Sequence, residues 1–466
     1  MTLSSEGLST VVGDIWINNQ IVSNVAEFCD ECGNRFAGTP SELAGRDYLL
    51  KTFQSLGFEN VHLETCTYVG WKRGACRFEI LEPRQRELEA VSMVHSPPTP
   101  PDGLVGELIS VGQGTKDDFD RLADQIRGKI VLIRLGSPLG TFIHRVSKYG
   151  WARERGAVGV IFAKEEPGQL LGTGTVAAAY REAGTLPAVG VTYETGQYLL
   201  RQLQLGTVRV RLLLQNELVP GAETWNIVGD IPGTAGATEH ILVGAHWDGH
   251  DRADAALDNA LGLFTALEAG RGLARLRGQL GRTIRFVAFG NEESWIVGST
   301  NYVAQHVDEL DRMALMINCD ALAWFGRTCI RISKRDDVYE YFRTLVESHR
   351  LPLSIERSGW LPGSSDEWPF LVEGVPSIAA RGTQTPEERS RGRGLDHTQA
   401  DTVDKIDDLR AREASVILAQ LLFAVANDSV RPAPKLTRAE MFSRLKADGA
   451  YEELRVQGRW HPDSIL

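Results

Sequence analysis

The sequence predicts an α/β protein built on a mixed, mostly parallel twisted sheet with helices on both faces, joined by a smaller inserted α/β domain. Three observations carry that prediction. Residues 241–245, ILVGA, are apolar throughout, the pattern of a strand buried on both faces inside a parallel sheet. The runs TIRFVAF (283–289), MALMINC (313–319) and VPSIAA (375–380) repeat the pattern, and a helix-like segment, NALGLFTALEAGRGLARL, follows the first run. Each run also ends on, or leads into, residues that carry chemistry: His246, the pair Glu292 and Glu293, Asp320, and a polar loop holding Asp396, His397, Asp401 and Asp404. In open α/β sheets the ligand crevice lies beyond the carboxyl ends of the strands.

Taken in order, residues 1–83 form the first part of the main domain. Residues 15–33 read as one helix. Thr39 caps the next, with Pro40 in its first turn and Glu42 completing a capping box. Leu43, Tyr48, Leu49 and Phe53 give it an apolar face, and Gly57 ends it. Arg35 and Phe36 precede that cap within possible reach of the site. Cys29 and Cys32 form a CxxC with no second pair at zinc-ribbon spacing, so they read as a helical core pair.

At residue 84 a charged and proline-rich stretch leaves the main domain. The insert, 84–218, contains the strands GKIVLI (128–133), GAVGVIFA (156–163), LPAVGVTY (186–193) and VRVRLLL (208–214), with helices near 144–156 and 195–204. His144, Arg145 and Lys148 read as solvated residues of the first helix. The main domain resumes over 219–430. Its strand NIVGDI (226–231) is expected to pair with the 241–245 strand as an antiparallel hairpin, which makes the sheet mixed. Gly262 would let the following helix begin directly beneath the metal loop. Trp360, Trp368 and Phe370 read as loop-packing residues, with an apolar pocket wall as the second reading. Arg381, Arg391 and Arg393 read as a solvated basic loop, with reception of a substrate carboxylate as the alternative. RPAPKLT links to a charged tail, 431–466, that packs on the body or on another subunit, so a homo-oligomer stays open.

The formal net charge of −11 argues against nucleic acid or an anionic membrane surface as the main partner. Six cysteines in 466 residues suit reduced thiols. The amino terminus has no basic segment followed by an apolar core, and no uncharged apolar span is long enough to cross a membrane. The expectation is a cytoplasmic protein without membrane segments, or a secreted one if the chain is a processed form.

Spacing of two puts His246 and Asp248 on the same side, where the imidazole can bind zinc while the carboxylate holds its other ring nitrogen. The recurrence of His, Glu-Glu, Asp and His at four strand ends makes a metal site the better reading of all four. His250 and Asp251 read as loop residues, exposed or supporting a ligand. Asp401 and Asp404 read as supports for His397.

Five segments, AHWD (245–248), DNALG (258–262), FGNEESWIVGS (289–299), INCD (317–320) and DHTQADTVDKI (396–406), occur in the order and at the intervals of the M28 family of co-catalytic zinc aminopeptidases and carboxypeptidases, which the chain resembles over most of 15–430. The insert resembles the protease-associated (PA) domain found in part of that family. The resemblance implies two zinc ions bridged by Asp258, with His246 and Asp320 completing one position and Glu293 and His397 the other. It implies Glu292 as the general base that deprotonates a metal-activated water, and a cis Asp258–Asn259 peptide. Trp295, where many relatives have glycine, and Glu367, where many have histidine, depart from the pattern and are expected to reshape the substrate pocket. The implied activity is zinc-dependent exopeptidase action on a peptide or small amide substrate, most often removal of amino-terminal residues. Carboxypeptidase or dipeptidase action, another amide hydrolysis, glutaminyl cyclisation on one zinc and a non-catalytic binding role are the alternatives.

Overall fold

The computed structural model describes residues 5–176, 183–358, 365–391 and 394–463. Its main sheet has eight strands in the order Glu59–Lys72, Glu217–Ile231, Thr283–Phe289, His240–His246, Met313–Asn318, Ser377–Gly382, Thr328–Ser333 and Ser354–Ser358. The four central strands, from Thr283–Phe289 to Ser377–Gly382, run parallel. Antiparallel pairings flank them on both sides, so the sheet is mixed as expected.

The His246 strand shows why its sequence is apolar at successive positions. Ile241, Val243 and Ala245 join the large core against helices Ile21–Cys32, Leu261–Leu273 and Asp408–Asn427, whereas Leu242 joins the core against helix Val297–Gln305. Alternating side chains point to opposite faces, and here both faces are covered.

The expected hairpin is absent. Strand Glu217–Ile231 pairs with Thr283–Phe289, which lies between it and His240–His246. The polar link 232–239 is long enough to pass one strand, and the apolar 283–289 strand takes the buried position beside His246. Two helices, Ser5–Ile17 and Ile21–Cys32, replace the single one read over 15–33. Asn19 breaks them, its side-chain oxygen accepting from the Ile21 N–H at 3.0 Å. The capping box does not close either. Thr39 accepts from the Glu42 N–H, but the buried Glu42 carboxylate accepts from the Gly38 N–H (2.6 Å) and the Thr224 hydroxyl (2.6 Å), because it is wedged between the helix and the neighbouring strand. Cys29 and Cys32 are buried free thiols on their helix.

A second eight-stranded sheet uses strands from Cys76–Glu82 to Arg209–Leu214. Its helix Arg145–Glu154 is buried rather than solvated: His144, Arg145 and Lys148 are all buried. The Lys148 ammonium donates to the carbonyls of Arg134, Leu135 and Gly136, which replace the water it loses. The other side of this helix carries the tail. Helices Arg438–Ala447 and Tyr451–Val456 bring Met441, Phe442, Leu445 and Leu454 into one apolar cluster with Val146 of the insert and Trp295, Trp368 and Leu371 of the main domain. No helix among the described residues is long and apolar enough to cross a membrane.

Candidate metal centre

The carboxyl ends of the central parallel strands meet at one edge. His246 is the last residue of its strand, Glu292 and Glu293 follow strand Thr283–Phe289, and Asp320 follows Met313–Asn318. His397 comes from the loop after Ser377–Gly382. Asp258 lies in the turn ahead of helix Leu261–Leu273, and its peptide bond to Asn259 is cis. Gly262 is required there: a Cβ would stand 2.3 Å from the Cys319 carbonyl oxygen and 2.1 Å from the Asn259 side-chain oxygen.

The Asp258 carboxylate occupies the middle. Its Oδ1 is 3.1 Å from His246 Nε2, and its Oδ2 is 3.2 Å from His397 Nε2. His397 Nε2 is also 3.1 Å from Glu293 Oε2. His246, Asp258 and Asp320 form one cluster of converging donor atoms, and His250, Glu293 and His397 form another. Two donors on one tetrahedral zinc, each about 2.0–2.1 Å from it, stand roughly 3.3 Å apart, so these spacings fit zinc without rearrangement. Among the described residues Glu293 Oε1 is buried with no hydrogen-bond donor in reach, which suits a carboxylate that faces a cation.

The electrostatics agree. Burial raises the Glu292 carboxyl well above its usual range, against the pull of His246, and the charges of Glu293, Asp366 and Asp320 push it further. Burial also works to raise Asp258, but hydrogen bonds and charge from His246 and His397 hold it well below the usual value. His246 is raised despite its burial, because Asp248 and Asp258 hydrogen-bond to it. A crowded set of carboxylates that draws protons onto an imidazole draws a divalent cation for the same reason.

Several supporting roles differ from the expected ones. Asp248 does lie beside His246, with Oδ1 3.5 Å from Nδ1, but its carboxylate accepts the backbone N–H groups of Glu292 (2.9 Å) and Glu293 (3.1 Å). It fixes the turn that carries the glutamate pair. Asp401 supports Asp258 instead of His397, accepting from the Leu257 and Asp258 N–H groups at 2.6 and 3.2 Å, and burial pushes it up to about 7. Asp404 is exposed and pairs with Lys405. His250 is buried, not an exposed loop residue, and Asp251 pairs with Arg73 at 2.6 Å. Arg35 is fully buried and donates to the carbonyls of Gly33, Trp247, Asp254 and Ala255, fastening the loop beneath the centre. Arg35 and Arg73 carry no local sequence signal for these roles, since their acceptors lie in distant loops. Ser365 likewise escapes notice in the sequence, yet it donates to Asp320 Oδ2 at 2.7 Å.

Around the centre, Phe370 packs in the core against Phe289 and Tyr302. Trp295, in a left-handed conformation (φ 91°), and Trp368 sandwich the Arg459 guanidinium of the tail at 4.8 and 4.7 Å. Glu367 is turned to Asn318, whose side chain donates to it at 2.7 Å. Trp360, Arg393 and the Arg391 side chain lie outside the described residues, and Arg381 is part of strand Ser377–Gly382. The insert grips the His397 loop: the Thr173 N–H donates to the His397 carbonyl (2.9 Å) and Lys164 donates to that of Gly394. Arg145 and Lys164 of the insert line a cavity with Asp396 and His397.

The model of peptidase family M28 matches residues 226–422, and that of the PA domain matches 93–199. Carboxypeptidase Q of Mus musculus is 24% identical over 416 residues, covering 88% of this chain and 86% of that protein. Aminopeptidase YwaD of Bacillus subtilis is 25% identical over 443 residues, covering 93% and 89%. Among solved structures, a peptidase M28 precursor from Shewanella amazonensis superposes with a TM-score of 0.78 at 24% identity, covering 92% of this chain and 98% of its own. The zinc aminopeptidase BSAP from Bacillus subtilis does so with 0.67 at 23%, covering 91% and 98%.

Proposed function

We infer, from a chain that matches the model of peptidase family M28 over 226–422 and that of the PA domain over 93–199, a zinc-dependent exopeptidase that removes amino-terminal residues from peptides. The observation that carries this reading is the Asp258 carboxylate, whose two oxygens face His246 on one side and His397 on the other. His246, Asp320 and one Asp258 oxygen would hold one zinc, and Glu293, His397 and the other oxygen a second. Bound there, the pair supplies Lewis acidity that acidifies a water and offsets negative charge on the substrate carbonyl.

The remaining steps belong to the chain. Glu292 takes the proton of the attacking water and returns it to the departing amine. Asp248 holds Glu292 in register through two backbone hydrogen bonds. The insert closes on the His397 loop through Thr173 and Lys164, and Arg459 of the tail stacks on Trp295 beside the glutamate pair, a crowding that favours short chain ends over internal segments.

Carboxypeptidase or dipeptidase action is the second reading. It is favoured by Arg145 and Lys164 beside His397, a place where a substrate carboxylate would find positive charge, and by the relatives named carboxypeptidase Q. Mass spectrometry of free, N-blocked and C-blocked peptides, incubated with zinc-loaded protein and with Glu292→Gln as control, separates the two. Stepwise loss from the amino end, absent in N-blocked peptides, is expected. Loss from the carboxyl end selects the second reading, and no turnover of any peptide removes both.

A further inference from the structure

We propose that His250 is a third imidazole ligand of the centre, at the position shared by Glu293 and His397, so that the two zinc positions have unequal donor sets. The inference rests on the two-zinc reading above and adds a residue to it. His250 is 4% exposed. Its Nε2 lies 3.0 Å from Glu293 Oε2 and 2.9 Å from His397 Nδ1. His250, Glu293 and His397 each offer a ligand atom, all within 4.8 Å of one another, which a contraction of a few tenths of an ångström brings within the roughly 4.4 Å that one ion with bonds of about 2.0–2.2 Å can span.

Its other nitrogen explains the ring's orientation by default. Among the described residues His250 Nδ1 is buried without a hydrogen-bond partner, so the polar contacts that account for where the imidazole points are those of Nε2 with Glu293 and His397.

The loop is built to bring it there. A Cβ on Gly249 would stand 2.0 Å from that of Ala255 and 3.1 Å from the Asn34 carbonyl oxygen, so the turn is tight and returns the chain toward the site. The next residue, Asp251, is held by a two-pronged ion pair with Arg73 at 2.6 and 2.7 Å. Arg73 also donates to Ser92 and Thr173 of the insert. His250 is thus fixed from both neighbours while its own side chain faces the metal ligands.

One position then draws on His250, Glu293, His397 and an Asp258 oxygen, four protein donors. The other draws on His246, Asp320 and the second Asp258 oxygen, three. The four-donor position resembles a closed structural site and the three-donor position one that keeps a place for an exchangeable ligand. Zinc should load in two unequal steps.

The test is a zinc titration of the metal-free full chain against a chromophoric chelator, with zinc X-ray absorption to count imidazoles. His250→Gln keeps a hydrogen-bonding side chain but is a poor zinc donor, whereas His250→Asp keeps a donor. The wild type should bind two ions in resolved steps, with three imidazoles over the two. In His250→Gln the tighter step should weaken by more than the roughly 10–100-fold that loss of a supporting partner costs, and His250→Asp should recover most of it. Wild-type affinity in His250→Gln, or equal weakening in both variants, would mean that His250 only hydrogen-bonds, and overturns the proposal. The imidazole count of the wild type alone decides if a variant fails to fold: two imidazoles overturn it. A wild type that binds no zinc removes the two-zinc reading as well.

Discussion

Glu292 is next in sequence to a proposed ligand, and its backbone N–H is held by Asp248. Replacing it with glutamine should leave zinc content unchanged while peptide turnover falls about 10²–10⁴-fold, the usual worth of a general base; elemental analysis beside the rate assay checks both halves. A second carboxylate gives a pH signature. Burial pushes Glu42 up to about 7, against the pull of the Thr224 hydroxyl and the Gly38 N–H. Between the unfolded value of 4.5 and about 7, the folded chain keeps a proton that the unfolded chain has lost, so this group's contribution to stability falls as pH rises. Glu42→Gln should remove that slope, worth up to about 3 kcal/mol, and denaturant titrations at pH 5 and pH 8 would show it; equal slopes would contradict the assignment. The proposed ligands were legible because each ends an apolar run or sits in an ordered motif. The partners of Asp248, Asp401 and Glu42 were not, because a carboxylate that accepts backbone N–H groups from another loop leaves no local pattern.

Among the elements, the junction between the Asp258 turn and helix Leu261–Leu273 is the least tolerant. Gly262→Ala places a methyl against the Cys319 carbonyl, which cannot move without shifting Asp320. The variant should lose about 1–3 kcal/mol of stability and bind zinc more weakly, as read by its unfolding midpoint and by chelator competition. A variant with wild-type stability and affinity would show that the turn has slack. The close approach at this glycine was readable from its place after the DNAL motif. The neighbour of strand Glu217–Ile231 was not, because a short polar link serves equally to turn a hairpin or to pass one strand, and only the finished sheet selects between them. The burial of helix Arg145–Glu154 was hidden for a related reason. Its polar residues look solvated until insert carbonyls take Arg145 and Lys148 on one side and the tail covers the other, with Ser147 donating to Glu453 at 2.9 Å and Gly150 lying where a Cβ would meet the Val456 carbonyl oxygen at 2.6 Å.

At the scale of the whole molecule, the tail adds an apolar joint between the insert and the main domain to the hydrogen bonds that Thr173 and Lys164 make with the His397 loop. Met441, Phe442, Leu445 and Leu454 share one cluster with Val146, Trp295 and Trp368, so thermal unfolding should be a single transition. Leu454→Lys should lower its midpoint, and an unchanged midpoint in that variant would show that the tail adds nothing to the coupling. Arg459→Ala empties the slot between Trp295 and Trp368 and should cost about 1–2 kcal/mol, with a changed KM because the Trp295 N–H donates to the Glu292 carbonyl at 2.7 Å. None of this could be read from a charged carboxyl-terminal segment, whose contacts lie about 70–310 residues away in sequence. The central claim is two metal positions sharing one aspartate. Anomalous diffraction at the zinc edge from zinc-soaked crystals tests it most directly. Two peaks roughly 3.5–4 Å apart, one against His246 and Asp320 and the other against Glu293 and His397 with Asp258 between them, are the predicted result; a single peak, or peaks away from Asp258, would contradict the account.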